Sequence, residues 1–440
     1  MRLPLQSCEP YRAAAGRPGP PASSAGVQAS RSWIVKAAWT RSPLSRVTMI
    51  SCKHQVSSMT LVDLSHLQWR AGRMKRNLAL FTHLLRGAAL DRGIYINLSW
   101  TAHESVRDYF AVPIVETLTT YAVGDAPVIV LRPKNALPLS YRTETFARLS
   151  GSLFARKIRG LMAGDRYILW LNAIVPVECG LAAALARRAE MVVLDNSDDL
   201  PTLEPPELRQ SAERRLQRML RLADKTLCVN EHVFSKIQHP CKLLFRNCTT
   251  FDSLQKTIPD FRLPPWFPKP AGRTYIGFIG SLHEDRVDAG LLEYLISAFP
   301  QFTFLFVGWV SEGLIGTLAK YPNAQIVPEA PNDVLGTVIR SFDAAIIPHR
   351  DNAITKGNDL LKLLDYNACA VPVVTTPVSG AGAGYSALIA STKQDFADCV
   401  RACVEGNHNL NLAQGVEYAR ERSWETQVPK LIDWLGLGRR

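Results

Sequence analysis

Residues 348–376 read PHRDNAITKGNDLLKLLDYNACAVPVVTT. An apolar run ends at Pro348. A polar loop then carries Thr355, Lys356, Gly357 and Asn358, an amphipathic run follows, and a second apolar run begins at Val371. The order is strand, loop, helix, strand. A helix over 358–370 places Asn358, Lys362 and Asp365 at i, i+4 and i+7 on one face, while Leu361, Leu364 and Ala368 form a separate apolar stripe for the core. The first-turn N–H groups of such a helix lack partners inside it and stand at the positive end of its dipole. A diphosphate fits there. Lys356 and Lys362 can add charge-assisted bonds, and Asp365 can accept from ribose hydroxyls. The same spacing also suits a solvated face with a Lys362–Asp365 pair, worth only a few tenths of a kcal/mol.

Outward from this stretch, short apolar runs alternate with helical patterns. In the second half, strands are expected over 275–279, 303–307, 325–327, 344–348, 371–375 and 387–389. Helices are expected over 287–299, 312–320, 332–341 and 394–405. In the first half, strands are expected over 61–64, 93–98, 127–131, 167–171, 191–194, 226–229 and 243–245, with helices such as 77–90 and 206–223. Several of these runs are wholly apolar, as strands of a parallel sheet covered on both faces must be. Residues 252–272 include FRLPPWFPKPAG, with four prolines and a glycine, and interrupt the rhythm. The expected fold is therefore α/β, two Rossmann-like doubly wound domains facing across a cleft. The expected division is a 1–58 extension, a 59–251 domain, a 252–272 linker, a 273–420 domain and a 421–440 helix returning toward the first domain.

The chain has 440 residues and a formal net charge of +12. Eight basic residues lie in 1–58 against Glu9 alone, so much of the excess is local. Residues 10–30 are rich in Ala, Gly, Pro and Ser and show no periodicity. This segment reads as a disordered extension, or as sequence upstream of a start at Met49 or Met59. The mild remaining charge suits acidic ligands or an anionic membrane face. No Lys/Arg cluster interleaved with aromatics points to nucleic acid. The nine cysteines include no Cys-x2-Cys pair, which indicates thiols in a reducing cytoplasm rather than a metal site or disulfide framework. No apolar run reaches the roughly 18–20 residues of a spanning helix.

Residues 348–376 resemble the nucleotide-diphosphate-sugar motif of GT-B glycosyltransferases, especially bacterial members of family 4. The matches are Pro348, Thr355, Asn358, Lys362, Tyr366 and Pro372-Val373-Val374. Asp365 stands where the family has its ribose-binding Glu. Gly357 occupies the position of the family's first Glu, Asp359 replaces a common Pro, and Cys369-Ala370 replaces a Gly-containing turn. YIGFIGSLHEDRVD (275–288) resembles the opening strand and turn of the family's second domain. Gly277 and Gly280 there allow close backbone approach, Gly280-Ser281 stands near the diphosphate, and Arg286 is a phosphate partner. LVDLSHLQWRAGRMKRN (61–77) resembles the first domain's opening, with His66 and Arg73 facing the cleft. His66 also suits an ordinary loop histidine. VVLDNSDDL (192–200) resembles a strand followed by an Asp pair. Asp198 or Asp199 would act as base toward an acceptor hydroxyl or bind the acceptor; the pair also suits a turn or cap before Pro201. ADKTLCVNEHVFSKI (223–237) places Asn230 and Glu231 toward the cleft. Arg246-Asn247-Cys248 stands where the family often has Pro-Asn-Gly, and Ser423-Trp424-Glu425 resembles the family's C-terminal crossing.

The resemblance implies a glycosyltransferase of cell-envelope or exopolysaccharide synthesis, in the cytoplasm or at the inner face of the plasma membrane. It implies a UDP-, GDP- or dTDP-sugar donor in the second domain and a saccharide or lipid-linked acceptor in the first, without metal or cofactor. The implied donor residues are Gly280, Ser281, Arg286, Thr355, Asn358, Lys362 and Asp365; the implied catalytic residues are Asp198, Asp199 and His66. The helix over 206–223, with Arg209, Arg214, Arg215, Arg218 and Arg221, reads first as an ordinary amphipathic surface helix and second as one resting on an anionic membrane. The alternatives to transfer are a nucleotide-sugar epimerase and a non-catalytic sugar-nucleotide-binding subunit.

Overall fold

The computed structural model describes residues 58–438 apart from 67–68, 70–74, 99–114, 135–143, 163, 173, 175, 257–262, 265–266, 268–271, 379 and 383. The expectations for 1–57 and Arg73, and part of the 252–272 segment, lie outside the described residues.

Two sheets organise these residues. The first contains β1 (Met59–Leu64), β2 (Arg92–Ile96), β3 (Val115–Val123), β4 (Ala126–Pro133), β5 (Arg166–Leu171), β6 (Met191–Asn196), β7 (Lys225–Cys228) and β8 (Lys242–Leu244). Its order is β3-β4-β2-β1-β5-β6-β7-β8. Every pairing is parallel except β3 with β4. The second contains β9 (Tyr275–Ile279), β10 (Thr303–Val307), β11 (Ala324–Val327), β12 (Ala344–Ile347), β13 (Val373–Thr375) and β14 (Leu388–Ile389). Its order is β11-β10-β9-β12-β13-β14 and all its pairings are parallel. That is the doubly wound 3-2-1-4-5-6 order, whose crevice opens beyond the carboxyl ends of the first and fourth strands. Here those strands are β9 and β12. In the first sheet the order reverses between β1 and β5.

Both sheets are covered on both faces, so their strands read as apolar runs. On one face of the first sheet, the helices Glu144–Met162 and Pro176–Ala186 pack so closely that a Cβ on Gly151 would lie 2.3 Å from the backbone of Gly180. On the other face lie Arg76–Gly87 and, from the far end of the chain, Trp424–Leu435. Trp424, Val428, Leu431, Ile432 and Leu435 enter that core.

Four features depart from the sequence expectations. β3 has no counterpart among them: its burial pattern is polar and half-exposed, and it joins β4 through a two-residue turn at Gly124, φ +59°. The proline-rich segment begins inside a helix, Phe251–Lys256, whose Phe251 and Leu254 enter the second lobe's core. Gly277 serves packing rather than ligand approach, because a Cβ there would fall 2.1 Å from the Phe342 ring. The helix expected over 358–370 runs only Leu361–Ala368.

Candidate functional site

The helix Leu361–Ala368 lies at the switch point of the second sheet. Tyr366, fully buried, accepts a hydrogen bond from the Ile279 amide at 2.7 Å and fixes the helix against the end of β9. Gly280 follows at φ +112°, with its own N–H donated to the Val307 carbonyl. Gly308, φ +134°, closes the neighbouring strand end so tightly that a Cβ there would meet the Gly280 carbonyl at 2.5 Å. Only glycine supplies both the backbone angle and the space. The absent side chain of Gly280 leaves room above the Lys362 ammonium, 3.8 Å from where its Cβ would be. Ser281 stands exposed beyond it.

Lys362 is held over the Phe278 ring, Nζ 3.8 Å from the centroid, with His349 Nε2 at 3.5 Å. Burial, then the nearby Arg286 guanidinium, lowers its pKa to about 7. His349 is driven well below its ordinary value by burial, Lys362 and Arg286, so it is neutral at physiological pH. Its Nδ1 is buried without a hydrogen-bond partner. Three nitrogen groups thus converge at the carboxyl ends of β9 and β12, and among the described residues no carboxylate pairs with Lys362. The convergence costs free energy in an empty site and suits an anion.

The other expected donor residues are placed differently. Asn358 is not the helix start. It precedes Leu361, and its carbonyl accepts from Asn230 Nδ2 at 2.9 Å. The local cause is a separate short helix, Ala353–Lys356, capped by Asn352. The Thr355 hydroxyl completes that capping box: it accepts from the Asn352 amide and donates to the Arg350 carbonyl at 2.6 Å. Thr355 therefore shapes the loop. Asp365 accepts from the Thr249 hydroxyl at 2.6 Å, and burial raises its pKa to about 6.

The lobes meet along 356–359. Asn230 Nδ2 also donates to the Lys356 carbonyl at 2.9 Å. Asp359 accepts from the Asn247 amide at 2.6 Å, with Arg246 and Arg422 at 3.5 and 3.6 Å. Gly357 abuts the first lobe: a Cβ there would lie 2.8 Å from Asp199 Cβ. The chain crosses between lobes twice, and the two passages pair with each other through Thr249 and Ser423.

The expected acidic pair divides. Asp199 Oδ2 is bound to Lys236 Nζ at 2.6 Å and Thr202 Oγ1 at 2.7 Å, with His232 at 3.4 Å. These partners overcome burial and lower its pKa. Held this way, Asp199 anchors a turn and is unsuited to taking a proton. Asp198 is pushed up to about 6 by burial, with the Arg286 and Arg76 charges pulling it down. Arg286 belongs to the opposite lobe, so this charge acts on Asp198 from across the two lobes.

His66 stands at the end of β1, its Nδ1 2.8 Å from the Asn172 carbonyl and 3.3 Å from Asn77 Nδ2. The carbonyl can only accept, so Nδ1 carries the proton and Nε2 the lone pair. Burial lowers the pKa of His66 and keeps it neutral. Beneath it, Asn172 donates to Asp63 at 3.0 Å, and Tyr95 and Asn77 donate to Ser65. Arg76 holds Asp195 through a buried two-nitrogen bridge, NH2 to Oδ1 at 2.8 Å. Neither Arg76 nor His349 was singled out from the sequence, although both lie inside motifs quoted above. Basic residues flanking glycine loops were the available signal.

No family model matches the chain, and no curated protein matches it by sequence. Solved structures do. A sucrose-phosphate synthase from Thermosynechococcus elongatus superposes with a TM-score of 0.61 at 14% identity, over 86% of this chain and 99% of that one. A trehalose-phosphate synthase from Burkholderia vietnamiensis gives 0.61 at 11%, over 87% and 100%. HepE from Anabaena, solved with UDP-glucose, gives 0.58 at 14%, over 86% and 99%. The likeness spans both lobes, and the chain has the two-lobed GT-B fold.

Proposed function

We propose that this chain is a glycosyltransferase that binds a nucleotide-diphosphate sugar at the carboxyl ends of β9 and β12 and passes the sugar to an acceptor hydroxyl held by the first lobe. The observation that carries the reading is the partly buried Lys362 ammonium, set with Arg286 and His349 beside Gly280 at the switch point of a doubly wound sheet. HepE, of the same fold, was solved with UDP-glucose, which makes a UDP-sugar the first donor to test.

The chemistry follows from the charges. Breaking the bond between the anomeric carbon and the diphosphate leaves the electron pair on phosphate oxygen. Lys362 and Arg286 stabilise that charge as it forms, commonly the largest contribution in such sites. Asp198 accepts the proton of the acceptor hydroxyl as the new bond to the anomeric carbon forms; a pKa of about 6 leaves it mostly ionised at neutral pH yet still basic. His66 Nε2 accepts a hydrogen bond from a second hydroxyl of the acceptor. The acceptor is a saccharide or lipid-linked saccharide, as in cell-envelope or exopolysaccharide assembly. Asp365 reaches the ribose only by exchanging its bond from Thr249 for bonds from the ribose hydroxyls.

The test is thermal stabilisation by UDP-, GDP- and dTDP-sugars followed by assays of donor hydrolysis and transfer. A site-specific donor at a hundred times its Kd adds about 2.7 kcal/mol of apparent stability. Lys362→Met should abolish turnover by about a hundredfold or more. Interconversion of the donor sugar without acceptor would identify an epimerase. Stabilisation without turnover would identify a binding subunit, a reading favoured by Gly357 standing where the family carries Glu. No stabilisation by any nucleotide sugar would overturn the proposal.

A further inference from the structure

The helix Glu144–Met162 has two apolar faces. One, through Phe154, Ala155, Ile158 and Met162, belongs to the first lobe's core. The other points to solvent. Phe146, Leu149 and Leu153, at i, i+3 and i+7, are 40%, 51% and 44% exposed, and Leu161, farther along, is 37% exposed. A stripe of large apolar side chains outside a core is costly in water and marks a contact surface. Arg156 and Lys157 continue it one turn beyond Leu153, and both are exposed. The helix follows β4 and leads back to the parallel strand β5, so Phe146 and Leu149 lie at the end of the lobe where the strands' carboxyl termini open. The helix Pro206–Leu222 packs against the same sheet face, and its first turns lie at that same end with Leu203 and Leu208 exposed. Together the two helices carry nine basic residues against three acidic ones.

We infer that this face of the first lobe docks on an anionic lipid surface, with Phe146, Leu149 and Leu153 inserted at the headgroup boundary and Arg156 and Lys157 on the lipid phosphates. The charge selects the occupant. A second copy of the chain would present the same positive field, whereas anionic headgroups complement it. The geometry fits an interfacial rather than spanning mode: among the described residues no helix is long and apolar enough to cross a membrane. The membrane contact then lies on Glu144–Met162 rather than on the helix over 206–223, for which the sequence offered it only beside the reading of an ordinary amphipathic surface. On Pro206–Leu222 the buried positions are Ala212, Leu216, Met219 and Leu220, so its apolar stripe is mostly consumed by the core. The inference does not depend on the catalytic reading.

The experiment is co-sedimentation of the full chain with phosphatidylcholine vesicles, with and without phosphatidylglycerol, alongside sedimentation velocity without lipid. The wild type should bind the anionic vesicles and not the neutral ones. Leu149→Ser with Leu153→Ser should weaken binding at least about tenfold by removing two inserted side chains, with an unchanged melting midpoint because both lie on the surface. Arg156→Gln with Lys157→Gln should remove most of the anionic preference. Leu208→Ser, one exposed side chain outside the Phe146–Leu149–Leu153 stripe, should weaken binding less than the paired stripe variant. Failure to bind either vesicle would overturn the inference. So would binding unaffected by the stripe variants, which would assign it to the basic residues in 1–58. A concentration-dependent dimer abolished by Leu149→Ser would overturn it in favour of a second copy.

Discussion

Donor affinity should fall steeply as pH rises past neutrality, and the slope should belong to Lys362. In the empty protein this ammonium has a pKa of about 7, set by burial and then by Arg286. A diphosphate beside it brings two negative charges and returns the pKa well above the working range. Only the charged form binds, so the apparent Kd is the intrinsic one divided by the charged fraction. That fraction is about nine-tenths at about pH 6 and about one-hundredth at about pH 9 for a pKa near 7. The Kd for UDP-glucose should therefore rise roughly a hundredfold across the interval, about 2.7 kcal/mol. UDP-glucose is the appropriate ligand because its diphosphate has no terminal phosphate to titrate. His349 is already neutral, and Asp198 and Asp365, raised to about 6, have largely ionised before the steep part begins. Calorimetric titration at fixed ionic strength reads the effect. Lys362→Arg should flatten the profile while keeping much of the affinity. Lys362→Met should bind weakly at every pH. A flat wild-type profile, or the same slope in Lys362→Met, would show that this ammonium does not hold the diphosphate.

Three further outcomes follow from the geometry. Asp198→Asn should cut turnover by about a hundredfold or more, whereas Asp199→Asn should lower the melting midpoint with a smaller effect on turnover, because Asp199 serves Lys236 and Thr202. Gly357→Val should force its side chain against Asp199, costing about 1–3 kcal/mol in urea unfolding and enlarging the radius of gyration in solution scattering as the lobe contact opens. Arg76→Met should strand Asp195 as an unpaired buried carboxylate and cost about 3–5 kcal/mol, read as a lower urea midpoint.

The strands that build the switch points were legible because parallel strands buried on both faces must be apolar runs, as in FLF at 304–306 or VVL at 192–194. β3 escaped because its Thr-rich sequence lies at an edge, where half the side chains meet solvent. The helix start was misplaced for a reason periodicity cannot show: Asn352 and Thr355 close a capping box upstream, and first-lobe groups hold the 356–359 backbone. Lys362 was visible from spacing and resemblance. Its depressed pKa was not, since that depends on burial, beside the Phe278 ring, and then on Arg286, which arrive from separate elements. The division between Asp198 and Asp199 was equally hidden, because it is made by Lys236, 37 residues away in sequence. Gly277 shows the reverse error: a glycine read as facing a ligand makes room for Phe342.

A crystal structure of the chain with bound UDP would examine the account where it is most exposed. The diphosphate should lie between Gly280-Ser281 and the start of the helix Leu361–Ala368, within hydrogen-bond reach of Lys362 Nζ and the Arg286 guanidinium, with the ribose turned toward Asp365. Nucleotide bound elsewhere, or none at a concentration that saturates other GT-B proteins, would remove the basis for assigning a donor site to the second lobe.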